Sequence, residues 1–389
     1  MRIVDIRERT VPIASDIRNA VIDFSEMTVS VLAIITDEVR DGRPVIGFGF
    51  NSNGRYAQGG LLRERFIPRL NRAAPESLLD PERGTIDPFA IWQTVMRNEK
   101  PGGHGERAVA VGIIDMAAWD LAAKLTEQPL HRYLAERFGN APAREQVSVY
   151  AAGGYYYPGK DDEQLRREMS GYLELGYSVV KMKIAGAPLA DDVRRIEAVL
   201  DVLDGDGSAL AVDANGRLGQ AEALEYANAL APYRLRWFEE PGDPLDFALN
   251  AEVAINYEPP LATGENLLSM ADARNLVRYG GLRADRDVLQ MDPALSYGLV
   301  EYLRTLDMLR AAGWSAERCI PHGGHQFNLA IAAGLHLGGC ESYPGVFAPF
   351  GGFSDDAPIR TGIVGLSESP GIGMEDKAGL WAILDDVVA

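Results

Sequence analysis

Ala209-Leu-Ala-Val-Asp213, Leu235-Arg-Trp-Phe-Glu239 and Leu261-Ala-Thr-Gly-Glu265 are short apolar runs, each closed by a carboxylate, and the carboxylates stand 26 residues apart. A period of that length accommodates one strand and one helix, the repeat of a parallel α/β barrel. Such barrels carry their chemistry at the strand ends, and three anionic oxygens meeting there suit a hard divalent cation such as Mg²⁺.

The same texture extends both ways. Strand-like runs recur at Val147–Ala151, Ser178–Ile184, Pro260–Gly264, Asp287–Gln290 and Arg318–Pro321, with a weaker eighth around Leu335–Glu341. Amphipathic stretches lie between most of them, so the pattern predicts a closed barrel from about residue 146 to 365. Residues 1–145 differ. Thr28–Thr36 and Pro44–Phe50 are β-rich and joined through Asp41-Gly42, a hairpin signal, and helical patterns follow near 60–74, 88–98 and 106–125. This predicts an N-terminal α+β domain, with the Gly/Pro-punctuated segment 366–389 returning to it.

The chain has 389 residues, 47% of them hydrophobic, and a formal net charge of −18. That charge argues against nucleic-acid and anionic-membrane partners, which are themselves polyanions. The N-terminus alternates charged and apolar residues as a strand does, and no apolar run reaches the length of a membrane span. Cys319 and Cys340 lack framework spacing and predict two buried thiols in a reducing cytoplasm.

Lys181-Met-Lys183 closes the second barrel run. Residues at i and i+2 of a strand share a face, so both ammonium groups are predicted to enter the barrel mouth. Lys181 and a bound Mg²⁺ are expected to depress the pKa of Lys183 toward that of a working base. Asp292 closes the sixth run and His322 the seventh; an Asp that accepts from one ring nitrogen makes the other a usable acid or base. His325 lies three residues on, but the carboxylate trio favours Mg²⁺ over a zinc pair of histidines. Glu341 closes the eighth run and is a candidate to bind substrate or stabilise developing charge. A lysine side, a metal floor and a histidine side suit proton removal α to a carboxylate, with Mg²⁺ supplying electrostatic stabilisation.

With these residues in place, the chain resembles the mandelate racemase subgroup of the enolase superfamily, over essentially its whole length. The resemblance implies a modified (β/α)₇β barrel under an α+β capping domain. It implies Lys183 as proton-abstracting base beside Lys181, Asp213, Glu239 and Glu265 as Mg²⁺ ligands, an Asp292–His322 dyad and a final-strand Glu341. Asp115-Met-Ala-Ala-Trp-Asp-Leu-Ala-Ala-Lys124 looks like the family helix that joins cap to barrel. Asn51-Ser-Asn-Gly-Arg-Tyr56, Lys100-Pro-Gly-Gly-His-Gly-Glu106, Ala151-Ala-Gly-Gly-Tyr-Tyr-Tyr157 and Ile320-Pro-His-Gly-Gly-His-Gln326 resemble most its tartrate-dehydrating branch.

An acid-sugar or hydroxy-diacid dehydratase is therefore the expected activity, and an even-numbered homo-oligomer the expected assembly. Racemisation of a 2-hydroxy acid would use the same lysine and histidine, and a non-catalytic acid-binding barrel is the remote alternative. Specificity is expected from two cap loops, Ser15–Met27 (with Arg18, Asn19 and Asp23) and Asn51–Gly60 (with Asn53, Arg55 and Tyr56), helped by Tyr155 and Asn215.

Overall fold

The computed structural model describes residues 1–13, 15–52, 55–139 and 141–389. Three antiparallel strands open the chain: β1 (Ile3–Pro12), β2 (Thr28–Arg40) and β3 (Arg43–Phe50), in the order β1-β2-β3. Asp41 and Gly42 both take positive φ (50° and 77°), as a tight hairpin turn between twisted strands requires. Val29–Ile35 of β2 is buried on both faces, which explains its unbroken apolar run. One face packs on helix α1 (Glu106–Leu125) and the other on the C-terminal helix.

Helix α1 is the joint of the molecule, buried along nearly its whole length. Gly47 and Gly49 let it lie directly on β3; a Cβ at either would stand 2.2 Å from an α1 carbonyl oxygen. Asp120 accepts from Phe48 N (2.9 Å) in the cap and from Ile372 N (2.7 Å) in the C-terminal segment. Asp115 accepts from Leu299 N (2.5 Å), at the start of a barrel helix.

The barrel strands are β4 (Gln146–Gly153), β5 (Val180–Lys183), β6 (Leu210–Asp213), β7 (Trp237–Glu239), β8 (Leu261–Thr263), β9 (Val288–Leu289) and β10 (Cys340–Ser342). Neighbours from β4 to β9 pair in parallel, and β10 pairs in parallel with β4 to close the ring. The expected seventh strand, Arg318–Pro321, is not a ladder strand. Pro321 has no N–H to donate, and the segment is held by single bonds from Ile320 N to Leu289 O (2.9 Å) and from His322 N to Gln290 O (3.3 Å). The eighth strand is shorter than its sequence window, because Leu335 still caps the helix Gln326–Gly334. Seven helices separate the eight barrel positions, giving a (β/α)₇β barrel with a capping domain.

The cap helices also end early: 60–74 resolves into helical pieces from Gly59 to Asn71, and 88–98 into Pro88–Val95. A hairpin, β11 (Ile359–Arg360) and β12 (Ile363–Gly365), extends the sheet at the start of β4. The last helix, α2 (Ala378–Val388), returns to the cap, where Trp381 meets Phe48 edge-on and Arg7 donates to Val388 O (2.7 Å). Cys319 and Cys340 are both buried and free. Among the described residues no helix is long and apolar enough to cross a membrane.

Gly49→Ala should force β3 away from α1, lowering stability by about 1–3 kcal/mol. Chemical denaturation reads this as a lower midpoint; an unchanged midpoint would contradict the close approach.

Candidate active site

Parallel register levels Lys183 with Asp213 and Asp213 with Glu239, so three adjacent strands end in charge at one height. Glu265 follows β8 beyond Gly264, whose φ of 128° and neighbouring Met291 Sδ, 2.7 Å from a would-be Cβ, leave no room for a side chain. Asp213, Glu239 and Glu265 are buried, and one carboxylate oxygen of each lies within 4.8 Å of the others. An all-oxygen set of this size fits a hard divalent cation. Glu265 Oε2 is moreover buried without a hydrogen-bond partner, a costly state that a bound cation would relieve.

The two lysines partly neutralise these carboxylates. Lys181 Nζ lies 2.6 Å from Glu239 Oε1, 2.7 Å from Glu341 Oε1 and 3.6 Å from Asp213 Oδ2. Lys183 Nζ is paired with Asp213 Oδ2. Trp237 Nε1 (2.8 Å) and Gln290 Nε2 (2.9 Å) donate to the other oxygen of Glu239. Burial raises Glu239 to about 8, with the Asp213 charge adding to it. Asp213 is held down at about 2, since its two lysines outweigh its burial.

Opposing influences meet at Lys183. Burial does disfavour its charge, and Lys181 adds to that, but the Asp213 carboxylate overrides both, so its pKa is raised. Lys181 acts on Lys183 in the expected direction. Glu341 sits within the same network: Oε1 meets Lys181, and Oε2 accepts from Gly323 N (2.9 Å) with His322 Nε2 at 3.8 Å. Despite burial, Lys181 keeps its pKa at about 2.

His322 Nδ1 stands 3.0 Å from Asp292 Oδ2, leaving Nε2 to the cavity, 3.1 Å from Tyr343 OH and 3.5 Å from Glu265 Oε2. Burial opposes the imidazolium, yet Glu265 and Asp292 lift it to about 9. His325 does not join the carboxylates; its Nε2 faces Ser52 Oγ at 3.2 Å. Tyr343 and Ser52 were not anticipated from the sequence.

A family model described as enolase C-terminal domain-like matches residues 164–378, more than half of the chain. The chain belongs to the enolase superfamily. The L-talarate/galactarate dehydratase of Salmonella typhimurium is 26% identical over 377 residues, covering 96% of this chain and 88% of the relative. The N-succinyl-L-Arg/Lys racemase of Bacillus cereus is 25% identical, covering 94% and 93%. Among solved structures, L-talarate dehydratase from a Polaromonas species, complexed with Mg and L-glucarate, superposes with a TM-score of 0.75. It is 26% identical, covering 95% of this chain and 92% of that one.

In this superfamily member the cap folds over the barrel mouth. Arg18 and Tyr156 exchange backbone hydrogen bonds (3.1 and 2.8 Å), and Phe24 packs edge-on against Phe347 and Tyr155. Beneath lies a cavity of about 320 Å³ reached by Asn19, Arg55, Tyr155, Lys183, Asn215, Glu265 and His322. Arg55 donates to Asn266 Oδ1, and Asn266 Nδ2 in turn contacts both oxygens of the buried Glu240 (3.0 and 2.9 Å). Asn215 is tied back to Asp213, with N 2.8 Å and Nδ2 3.2 Å from its two oxygens.

Two expected substrate contacts do not line the cavity. Asp23 is paired with Arg18 at the surface (2.8 Å) and accepts from Ser25 N, closing its own turn. Tyr56 is 53% exposed and lies outside that lining. Of the tyrosine triplet only Tyr155 faces the cavity; Tyr156 OH donates to Asp192 (2.7 Å) and Tyr157 stacks under Lys160. Asn53 lies outside the described residues.

The charge arrangement predicts proton release on Mg²⁺ binding. Carboxylates hold His322 up at about 9 and raise Lys183. A cation on those carboxylates lowers both pKa values, so protons leave at pH values between the new and old pKa. Calorimetric titration of metal-free protein with Mg²⁺ at pH 8, in two buffers of different ionisation enthalpy, should give different apparent heats. Equal heats would contradict this coupling.

Proposed function

We propose that this chain is a Mg²⁺-dependent acid-sugar dehydratase that converts D-tartrate to oxaloacetate and water. The observation that carries the reading is that Lys183 and a His322 held by Asp292 reach one small cavity that is also lined by Glu265, a member of the buried Asp213–Glu239–Glu265 cluster. The 26%-identical dehydratase relatives support the reaction class, and the neighbour complexed with Mg supports the cation.

Bound Mg²⁺ would polarise the substrate carboxylate and offset the charge that develops when the α-proton leaves. Lys183, in its neutral form, takes the C2 proton and becomes the ammonium. His322, protonated at Nε2, gives that proton to the departing 3-hydroxyl, which leaves as water while the C2–C3 double bond forms. The resulting enol tautomerises to the keto acid. The lysine strand and the histidine segment are separated around the barrel by β4 and β10. We therefore assign them to opposite faces of the substrate, which makes the elimination anti. Glu341 holds Lys181 rather than substrate.

Three features support a four-carbon diacid: the cavity is at the small end of ligand sites, Arg55 reaches it as partner for a distal carboxylate, and the stretches 51–56 and 320–326 resemble the tartrate-dehydrating branch. The racemase relative favours one second reading, proton return to the opposite face by His322.

Purified protein with Mg²⁺ should form a keto acid from D-tartrate but not from L- or meso-tartrate. Lys183→Ala and His322→Asn should each lower kcat by about 10²–10⁴-fold. Turnover of a longer acid sugar alone would overturn the substrate, and α-deuterium exchange without loss of water would support the racemase.

A further inference from the structure

Ser52 leaves β3 of the capping domain and enters the barrel fully buried, 240 residues from its partner in sequence. Its Oγ stands 2.6 Å from Asp292 Oδ2 and 3.2 Å from His325 Nε2. Asp292 is ionised, held low by its donors against its burial. An oxygen–oxygen separation of 2.6 Å to a carboxylate is that of a charge-assisted hydrogen bond, so the Ser52 proton lies on that line. The hydroxyl oxygen must then accept from His325, which fixes that ring as the Nε2–H tautomer. Two observations agree. His325 Nδ1 is buried with no hydrogen-bond partner, as a bare lone pair would be, and burial lowers His325 to about 4, keeping it neutral.

The backbone is shaped around this contact. Gly323, at φ 89°, passes so close that a Cβ there would lie 2.5 Å from Ser52 Oγ and 2.7 Å from Asp292 Oδ2. The other carboxylate oxygen, Oδ1, is taken by Ala294 N at 2.8 Å. Oδ2 is therefore the oxygen shared between Ser52 and His322 Nδ1. The chain His325–Ser52–Asp292–His322 runs from a neutral, buried imidazole to the ring that faces the cavity, and its one link from the capping domain is Ser52.

We propose that Ser52 is a positioning residue for the acid step: through this hydroxyl the capping domain sets the Asp292 carboxylate and so aims His322 Nε2 at the leaving hydroxyl. The catalytic consequence rests on the dehydratase reading above; the hydrogen-bond chain does not. Lys183 lies outside the chain, so the two halves of the reaction respond differently. Without Ser52, C2 proton removal continues while transfer of the Nε2 proton to the departing hydroxyl slows.

The test uses the full-length, Mg²⁺-loaded protein with Ser52→Ala, Ser52→Thr and Ser52→Cys. In D₂O with D-tartrate, Ser52→Ala should lose about 10–100-fold in kcat, the range for removing a partner that orients a functional side chain, with KM unchanged. Recovered substrate should gain deuterium at C2 faster, relative to product formed, than with the wild-type protein. Ser52→Thr should restore turnover, and Ser52→Cys, which fills the site with a weaker donor, should fall between. Wild-type kcat in Ser52→Ala, or exchange and turnover falling together, would overturn the proposal.

A second readout needs no substrate. In ¹⁵N-histidine protein the His322 Nδ1–H resonance, assigned by its loss in His322→Asn, should move or vanish in Ser52→Ala and persist in Ser52→Thr. An unaltered resonance overturns the proposal on its own. Failure of wild-type protein to dehydrate any acid sugar would count instead against the proposed function, leaving the resonance to decide the role of Ser52.

Discussion

A charge deficit buried in the barrel mouth governs this structure. Asp213, Glu239, Glu265, Asp292 and Glu341 meet there out of water, while Lys181, Lys183 and His322 answer them as the only paired cations among the described residues of that cluster. The carboxylates outnumber the cations, an imbalance of the sign that a divalent cation corrects. Carboxylates so crowded are tolerated only when paired and hydrogen-bonded. Hence Glu239 recruits Trp237 and Gln290, Glu341 recruits Gly323, and Asp213 recruits the Asn215 backbone. Glu265 Oε2, which has His322 Nε2 at 3.5 Å but no hydrogen bond, marks where this internal compensation is weakest.

That cluster exists because strand register makes it. A one-residue slip of β6 against β5 would turn Asp213 to the opposite face and leave Lys183 without its partner. Register in turn is protected by apolar side chains on the alternate positions, Val180 and Met182 on β5 and Leu210 and Val212 on β6, all fully buried. The cap is fastened to this frame by α1, whose Asp115 and Asp120 bond to the barrel and to the cap sheet respectively. It also reaches the site directly, with Ser52 on the histidine side and Arg55 on the Asn266–Glu240 side.

Legibility in the sequence followed the range of the interaction. The carboxylate period could be read because strand and helix lengths are local, and the levelled Lys183, Asp213 and Glu239 followed from it. The hairpin at Asp41-Gly42 was legible for the same reason. Ser52 and Tyr343 were not: a serine beside a glycine-rich turn, or a tyrosine before a proline, carries no sign of a partner 240 or 21 residues away. The lowering influence of Lys181 on Lys183 was legible from their i, i+2 spacing, whereas the tighter contact with Asp213 needs a folded barrel. The seventh strand erred through Pro321, whose missing N–H outweighs the apolar pattern around it.

The most direct test of a cation-completed charge cluster is a crystal structure of the protein soaked with Mn²⁺, with anomalous scattering used to place the ion. The account predicts one strong peak among Asp213, Glu239 and Glu265, with Lys183 Nζ released from Asp213 toward the cavity. An ion bound elsewhere, or no peak with the Lys183–Asp213 pair intact, would contradict it.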